Sequence, residues 1–431
     1  MSRRDEALAR LRALTTARGP SHLDQVRDVV LVLCSSRGGS SVFMEMLRHH
    51  SGLLHLHGEI NPALAMAGLC HPESGTGSDV LHAEHATPEA RAIIQHALVQ
   101  DAGHPVEWVD SPQSREALTD ELCWRLSAQW PTEAFDPATI RLALSRALKL
   151  PELTEDGSAT QRFHARLLLA VREHHPIVNP WYYDLDPALV QAWFPNLPQP
   201  KGPPSPVVLE EPPFVLTGPW AHASLEDLQT RPLIFKTPSN AHRLPFLCAL
   251  FPKARVRVLH LIRNPAAAIN GLVDGWQFRG FHAHHVQPPL SIPDIHPPDV
   301  DWWKYDLPPG WQNWTDKPLV EIAGFQWSSA HRAILHALEA TSLDSIRVRF
   351  EDVIGDNRSE TFTHICRWLG VPMVPSLQQV VTAGLPPVMA TARPRQRRWF
   401  ARAKMIEPVL ETPEVSQTAK MLGYTNRAEW I

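Results

Sequence analysis

The sequence predicts an α/β fold in three layers, with a central parallel sheet, helices on both faces, and helical and irregular insertions. An apolar run at 29–33 and predicted strands at 255–262 and 345–350 are each followed by helical periodicity. Strands that alternate with helices pair in parallel, because each helix carries the chain back across the sheet. The chain has 431 residues, of which 44% are hydrophobic, so it can bury a large core.

The elements follow in order along the chain. Residues 1–25 indicate a leading helix, and 28–62 indicate a strand, a glycine turn, a helix and a short strand near 53–56. The remaining predicted elements are a mostly helical segment at 84–175, a proline-rich irregular segment at 176–232, strands at 232–235, 255–262 and 345–350, helices at 241–250, from 265, at 319–340 and at 359–369, an irregular segment at 278–318, and a basic, then helical C-terminal part.

We therefore predict a single domain over 1–431. Its core comprises 28–62, 232–275 and 319–430, and the insertions at 84–231 and 278–318 match no pattern of that core. We expect these two insertions to form the site of the second substrate.

Composition excludes several classes of protein. A formal net charge of −4 argues against nucleic-acid binding, and five scattered cysteines without a CxxC pair indicate neither a disulfide framework nor a zinc ribbon. No apolar run reaches the roughly 18 residues of a membrane span, and 2–18 lack the apolar core of a signal peptide. We expect a cytoplasmic protein without stable membrane insertion. The sequence is compatible with a monomer and with a homodimer.

The most informative segment is the turn at 35–41, which joins an apolar strand to a helix. Glycines there let backbone amides approach an anion, and the helix start adds about half a positive charge. The kinase pattern GxxxxGK[ST] is absent, since no lysine follows the glycines. The predicted anion-binding residues of this turn are Arg37, Gly38, Gly39, Ser40 and Ser41.

Two later segments of the sequence also indicate an anion-binding site. Lys236-Thr237-Pro238 follows a strand, and only eight of the 41 basic residues are lysines. The strand at 255–262 ends in Arg263-Asn264-Pro265, which places a planar guanidinium where ligands bind in open α/β sheets.

Together these motifs resemble the sulfotransferases that use 3′-phosphoadenosine 5′-phosphosulfate (PAPS), a family with a P-loop-like fold. The resemblance covers about 28–62, 232–275 and 319–430. It implies that the turn at Arg37 holds the 5′-phosphosulfate and that Arg263 holds the 3′-phosphate. The family usually has a serine eight residues after that arginine; here Gly271 occupies the position, so Asn270 or a backbone amide would replace it.

Glu59 is the predicted general base. It lies 22 residues after Arg37, a spacing similar to that of the heparan-type sulfotransferases. A carboxylate that takes the acceptor proton contributes roughly 10²- to 10⁴-fold. His57 is the rival base, and Lys236 is expected near the sulfonate or the bridging oxygen.

Two further groups complete the predicted site. The basic run at 393–400 resembles a family loop over the 3′-phosphate and adenine, which implicates Arg395 and Arg398. Aromatic residues of the insertions are predicted to line an apolar acceptor pocket, and they are Trp181, Tyr182, Trp303 and Trp311.

The resemblance implies a bacterial-type enzyme that moves a sulfuryl group from PAPS, with 3′-phosphoadenosine 5′-phosphate (PAP) as product, to a hydroxyl of a small or amphiphilic molecule. We expect no metal, since the histidines at 282, 284 and 285 lack carboxylate or cysteine partners at ligand spacing. The alternatives are sulfation that activates a hydroxyl for elimination, a non-catalytic PAP-binding protein, and an unusual P-loop kinase.

Overall fold

A computed structural model describes residues 3–17, 23–205, 207–282, 284–296, 300–385, 387–391 and 394–430. Within these ranges, seven strands form a central sheet and two form a separate hairpin. The sheet strands are β1 (Asp28–Leu33), β2 (Leu54–Leu56), β3 (Ala102–Pro105), β4 (Trp220–His222), β5 (Leu233–Lys236), β6 (Arg255–Ile262) and β9 (Asp344–Arg349), and the hairpin strands are β7 (His284–Leu290) and β8 (Val300–Trp303).

The sheet has the order β4-β3-β2-β5-β1-β6-β9. The five strands from β2 to β9 pair in parallel, with Val29 of β1 opposite Leu233 of β5 and Val256 of β6. Their carboxyl ends therefore meet at one edge of the sheet, where open α/β folds bind ligands. The predicted α/β class is confirmed.

Both faces of the sheet are buried. Val29, Leu31 and Leu33 of β1 belong to one hydrophobic cluster, whereas Val30 and Val32 belong to the cluster on the other face. This explains why β1 is an uninterrupted apolar run rather than an alternating one.

The described residues form seventeen α-helices, which cover the faces of the sheet and build the insertions. They are α1 (Arg3–Ala17), α2 (Ser40–Leu47), α3 (Asn61–Met66), α4 (Pro88–Asp101), α5 (Pro112–Gln129), α6 (Pro137–Ala147), α7 (Ala159–Arg172), α8 (Pro187–Trp193), α9 (Leu225–Thr230), α10 (Leu244–Leu250), α11 (Pro265–Gln277), α12 (Leu319–Glu339), α13 (Phe350–Ile354), α14 (Arg358–Leu369), α15 (Pro375–Ala383), α16 (Ala403–Leu410) and α17 (Pro413–Met421).

Side-chain caps set the helix starts of the first insertion. Thr87, Ser111, Asp136 and Ser158 each accept a hydrogen bond from a backbone N–H in the first turn of α4, α5, α6 and α7. Helices α5 to α7 then pack on one another around a hydrophobic cluster of their own. The predicted helical character of 84–175 is confirmed, apart from β3.

The insertions carry more regular structure than the sequence predicts. Strands β3 and β4 extend the sheet antiparallel, beside β2, although both lie in segments predicted to be helical or irregular. Strand β3 reads Ala-Gly-His-Pro and has no apolar pattern; a side chain on Gly103 would collide with the backbone of Ala221. In the described part of the chain, no helix combines the length and the apolar character that crossing a membrane requires.

Candidate functional site

A cavity of about 660 Å³ lies at the carboxyl edge of the parallel strands. Most of the predicted site residues line it, from three separate parts of the sequence. They are Arg37, Gly39, Ser40, Ser41, Glu59, Lys236, Arg263, Asn270, Gly271, Arg395 and Arg398. Gly38 lies in the same turn without lining the cavity.

The turn between β1 and α2 is tight. Gly38 donates its N–H to the carbonyl of Ser35 at 3.1 Å, and a Cβ on Gly38 would lie 2.8 Å from that carbonyl oxygen. Gly39 has φ of 92°, and a side chain there would collide with the ring of Phe350. Helix α2 begins at Ser40, so its free N–H groups lie beside the cavity.

The guanidinium of Arg37 contacts a second segment rather than open space. It donates to the carbonyl of Met389 at 2.8 Å and to Oγ1 of Thr391 at 3.4 Å. The N–H of Met389 donates to Asp184 Oδ2 at 3.0 Å, and burial raises the pKa of Asp184 to about 6. Arg37 therefore ties residues 387–391 to the turn, and both segments line the cavity.

Arg263 directly follows β6 and lines the cavity. Its Nη1 donates to the carbonyl of Arg37 at 3.0 Å, and its guanidinium lies 5.0 Å from the centre of the Phe350 ring. Of the carboxylates that the structure describes, none lies within 4.0 Å of this guanidinium. Burial lowers the pKa of Arg263 to about 10, and this desolvated cation is suited to an anionic ligand.

The residues after Arg263 are fixed by the start of α11. The side-chain oxygen of Asn264 accepts a hydrogen bond from the N–H of Ala267 at 2.8 Å. The backbone N–H and the side-chain amide of Asn264 both donate to Glu351 Oε1. Gly271 faces Arg37, whose Cβ would lie 3.3 Å from a Cβ at this position. A serine here would crowd the arginine.

The basic C-terminal run approaches α11. Arg398 and Arg402 both pair with Asp274, and Arg402 donates to Asn270 Oδ1 at 2.7 Å. The amide oxygen of Asn270 thus already has a cationic partner. Arg395 lines the cavity, whereas Arg393 lies outside the described residues.

Glu59 and Lys236 form a direct ion pair, and both side chains line the same cavity. Lys236 is the last residue of β5, and Glu59 precedes α3, so the ends of two neighbouring strands bring them together. Their side chains are 28% and 15% exposed, respectively, and both line the cavity.

A buried charge network lies behind Glu59. Arg125 of α5 pairs with Asp101 and donates to Glu210 Oε2 at 3.0 Å. Asp101 Oδ2 in turn accepts a hydrogen bond from the N–H of Gly58 at 2.9 Å. A side chain on Gly58 would collide with the Arg125 guanidinium. The first insertion therefore fixes the backbone that carries Glu59.

His57 lies outside the cavity. Its ring stacks on Trp220 with 4.4 Å between centroids, and its Nδ1 is 3.0 Å from Glu121. Burial lowers the pKa of His57. His57 directly follows β2 and packs against Trp220 and Glu121, whereas Glu59, two residues further on, lines the cavity.

The four aromatic residues predicted to line an acceptor pocket belong to hydrophobic cores instead. Trp303 and Trp311 pack in the cluster of α11, α12 and the hairpin, and Trp181 and Tyr182 pack in the cluster of the first insertion. None of the four lines the cavity. Large apolar rings gain more from burial in these cores than from a solvated wall, which explains the difference.

Three acidic residues that sequence reasoning missed line the cavity, namely Glu210, Glu211 and Asp306. Asp306 accepts a hydrogen bond from Ser36 Oγ at 2.9 Å, and Glu211 accepts one from Asn61 Nδ2 at 2.7 Å. The only sequence signal was an acidic pair within a proline-rich stretch. Among the described residues, His, Cys, Asp and Glu side chains nowhere gather in threes as metal ligands would.

A strand, a glycine turn and a helix at the carboxyl edge of a parallel sheet define the class of P-loop-like α/β proteins. The sequence model of the sulfotransferase family matches residues 29–375, and the chain belongs to that family. No curated protein gives a significant match.

Solved structures with similarity to the chain include three sulfotransferases. The sulfotransferase domain from the curacin biosynthetic pathway is 14% identical, with a TM-score of 0.37, over 93% of this chain and 98% of that domain. The domain from the olefin synthase of Synechococcus PCC 7002 is 16% identical, with a TM-score of 0.36, over 93% and 96%. Sulfotransferase STF1 from Mycobacterium tuberculosis H37Rv is 13% identical, with a TM-score of 0.37, over 94% and 81%.

Proposed function

We propose that this protein transfers the sulfuryl group of PAPS to a hydroxyl of a small-molecule acceptor. The observation that carries the proposal is that one cavity is lined both by cationic and amide donors and by the Glu59–Lys236 pair. Sulfuryl transfer needs both, because the donor is anionic and the acceptor must lose a proton.

The residues present fit the donor. The N–H groups at the start of α2 and the hydroxyls of Ser40 and Ser41 would hold the 5′-phosphosulfate. Arg263, which has no carboxylate partner among the described residues, would hold the 3′-phosphate. Arg398 would add a second cation beside the 3′-phosphate.

The proposed chemistry is an in-line displacement at sulfur. Glu59 takes the proton of the acceptor hydroxyl as the hydroxyl oxygen forms its bond to sulfur. The bond between sulfur and the 5′-phosphate oxygen breaks, and Lys236 and the α2 amides stabilise the charge that develops on the leaving oxygen. PAP and the sulfate ester are the products.

We further propose that the two insertions form the acceptor end. Glu210 and Glu211 of the first insertion, and Tyr305 and Asp306 of the second, line the same cavity as Glu59. The predicted division into core and insertions therefore assigns the donor to the core and acceptor selection to the insertions.

Calorimetric titration with PAP, AMP and ATP tests the donor assignment. We expect micromolar or tighter binding of PAP and at least roughly 30-fold weaker binding of AMP, because only PAP carries the 3′-phosphate. ATP binding tighter than PAP binding would favour a kinase. Equal affinity for PAP and AMP would refute the proposed 3′-phosphate site.

A further inference from the structure

We propose that Glu211 selects the acceptor, and that this acceptor carries a protonated amine in addition to the hydroxyl that is sulfated. The inference rests on the proposed function and specifies its second substrate. It follows from the position, the support and the charge environment of this one side chain.

The Glu211 carboxyl is held in place by a chain of buried hydrogen bonds. Asn61 donates to Glu211 Oε1 at 2.7 Å, and Arg243 donates to Asn61 Oδ1 at 2.6 Å. Arg243 is itself paired with Asp79 at 2.6 Å. Such support fixes a side chain in a cavity wall in the way that ligand recognition requires.

Each of the other described acids that line the cavity has a partner that offsets or binds its charge. Glu59 pairs with Lys236, Glu210 pairs with Arg125, and Asp306 lies 3.4 Å from His242 Nε2. Glu211 contacts the neutral amide of Asn61, and no cationic group in the described ranges lies within 4.0 Å of it. Its carboxyl is therefore the acid here that a ligand cation can still pair with.

The charges around Glu211 disfavour its ionised form in the free protein. Burial, followed by the carboxylates of Asp79, Glu59 and Asp306, raises the pKa of Glu211 to about 8, against the opposing effect of Arg243. An ammonium group in contact would stabilise the carboxylate and form charge-assisted hydrogen bonds. A second anion would instead add to the charge repulsion on the Glu211 carboxylate. An uncharged alcohol would neither stabilise that carboxylate nor repel it.

A matched pair of probes tests the inference. Enzyme saturated with PAP is titrated with phenylalaninol (2-amino-3-phenylpropan-1-ol) and with 3-phenylpropan-1-ol, which has the same skeleton without the amine. We expect phenylalaninol to bind at least about tenfold more tightly, as one charge-assisted hydrogen bond would give. Its binding at pH 7 should also release a proton, visible as a dependence of the calorimetric heat on the buffer.

The substitution Glu211→Gln keeps the hydrogen bond from Asn61 but removes the charge. It should abolish both the preference for the amine and the proton release, and it should leave PAP affinity within about twofold. Glu89→Gln, at an exposed position of α4, is the matched control and should change neither. Equal binding of the two probes to the wild type, or a preference that survives in Glu211→Gln, would overturn the inference. Failure of PAP to bind in the first step would instead refute the proposed function.

Discussion

Replacing Arg263 with glutamine tests the proposed 3′-phosphate site independently of the rest of the cavity. Burial lowers the pKa of Arg263 to about 10, which at about 1.4 kcal/mol per pKa unit is a penalty of roughly 3 kcal/mol on the guanidinium cation. In the free protein this penalty is present at every pH below about 10, because the arginine is charged in both the folded and the unfolded chain. A bound phosphate would offset most of it.

The expected result therefore has two parts. Unliganded Arg263→Gln should unfold at the same temperature as the wild type or at a higher one, since a desolvated charge has been removed. Its affinity for PAP should fall by roughly 30- to 100-fold, equivalent to about 2–3 kcal/mol, while its affinity for AMP should change by less than about threefold.

Thermal unfolding and calorimetric titration of the same samples provide both measurements. Arg255→Gln is the control, because Arg255 begins the same strand, is exposed, and pairs with Asp344 far from the cavity. A parallel loss of PAP and AMP affinity would show that Arg263 does not face the 3′-phosphate. A marked loss of stability without ligand would show that its charge supports the fold rather than a ligand.

Three other substitutions test the remaining parts of the site. Glu59→Gln should lower turnover roughly 10²-fold or more and spare PAP affinity, and unchanged turnover in a steady-state assay would exclude it as the base. Arg125→Met leaves two buried carboxylates unpaired and should lower the free energy of unfolding by about 3–5 kcal/mol in a denaturant titration; Arg141→Met, at an exposed ion pair, should change it far less. The raised pKa of Glu211 means that the folded protein holds a proton which the unfolded chain loses above about pH 4.5, so wild-type stability falls as pH rises towards about 8. Glu211→Gln should therefore be stabilised relative to wild type at pH 8.5 by up to roughly 5 kcal/mol, and little at pH 4.5; a difference independent of pH would contradict this.

The parts of the fold that the sequence predicts are those governed by local chemistry. The apolar run of β1, the glycine turn and the start of α11 at Asn264-Pro265 each follow from residue types at fixed spacing. The short strands β3 and β4 have no such pattern, because their pairing is determined by a neighbour distant in the sequence.

The same distinction applies to the site. Arg37, Glu59 and Arg263 lie at strand ends, and topology alone brings strand ends together. Glu211 reaches the cavity only through the path of the first insertion, which periodicity does not determine. The predicted roles of His57 and Trp303 depended on side-chain direction, and the packing of β2 and of the hairpin core determines that direction.

The pairing of β3 and β4 with the parallel strands also limits how this chain can be shortened. Removing 84–231 would leave β2 at the edge of the sheet, with a row of unpaired N–H and C=O groups and no strand to cover them. Such an edge recruits strands from other molecules, so a trimmed version is expected to aggregate rather than fold as a minimal enzyme. The proposed role of the insertion in acceptor selection is therefore better tested by exchanging individual side chains while its backbone is kept whole.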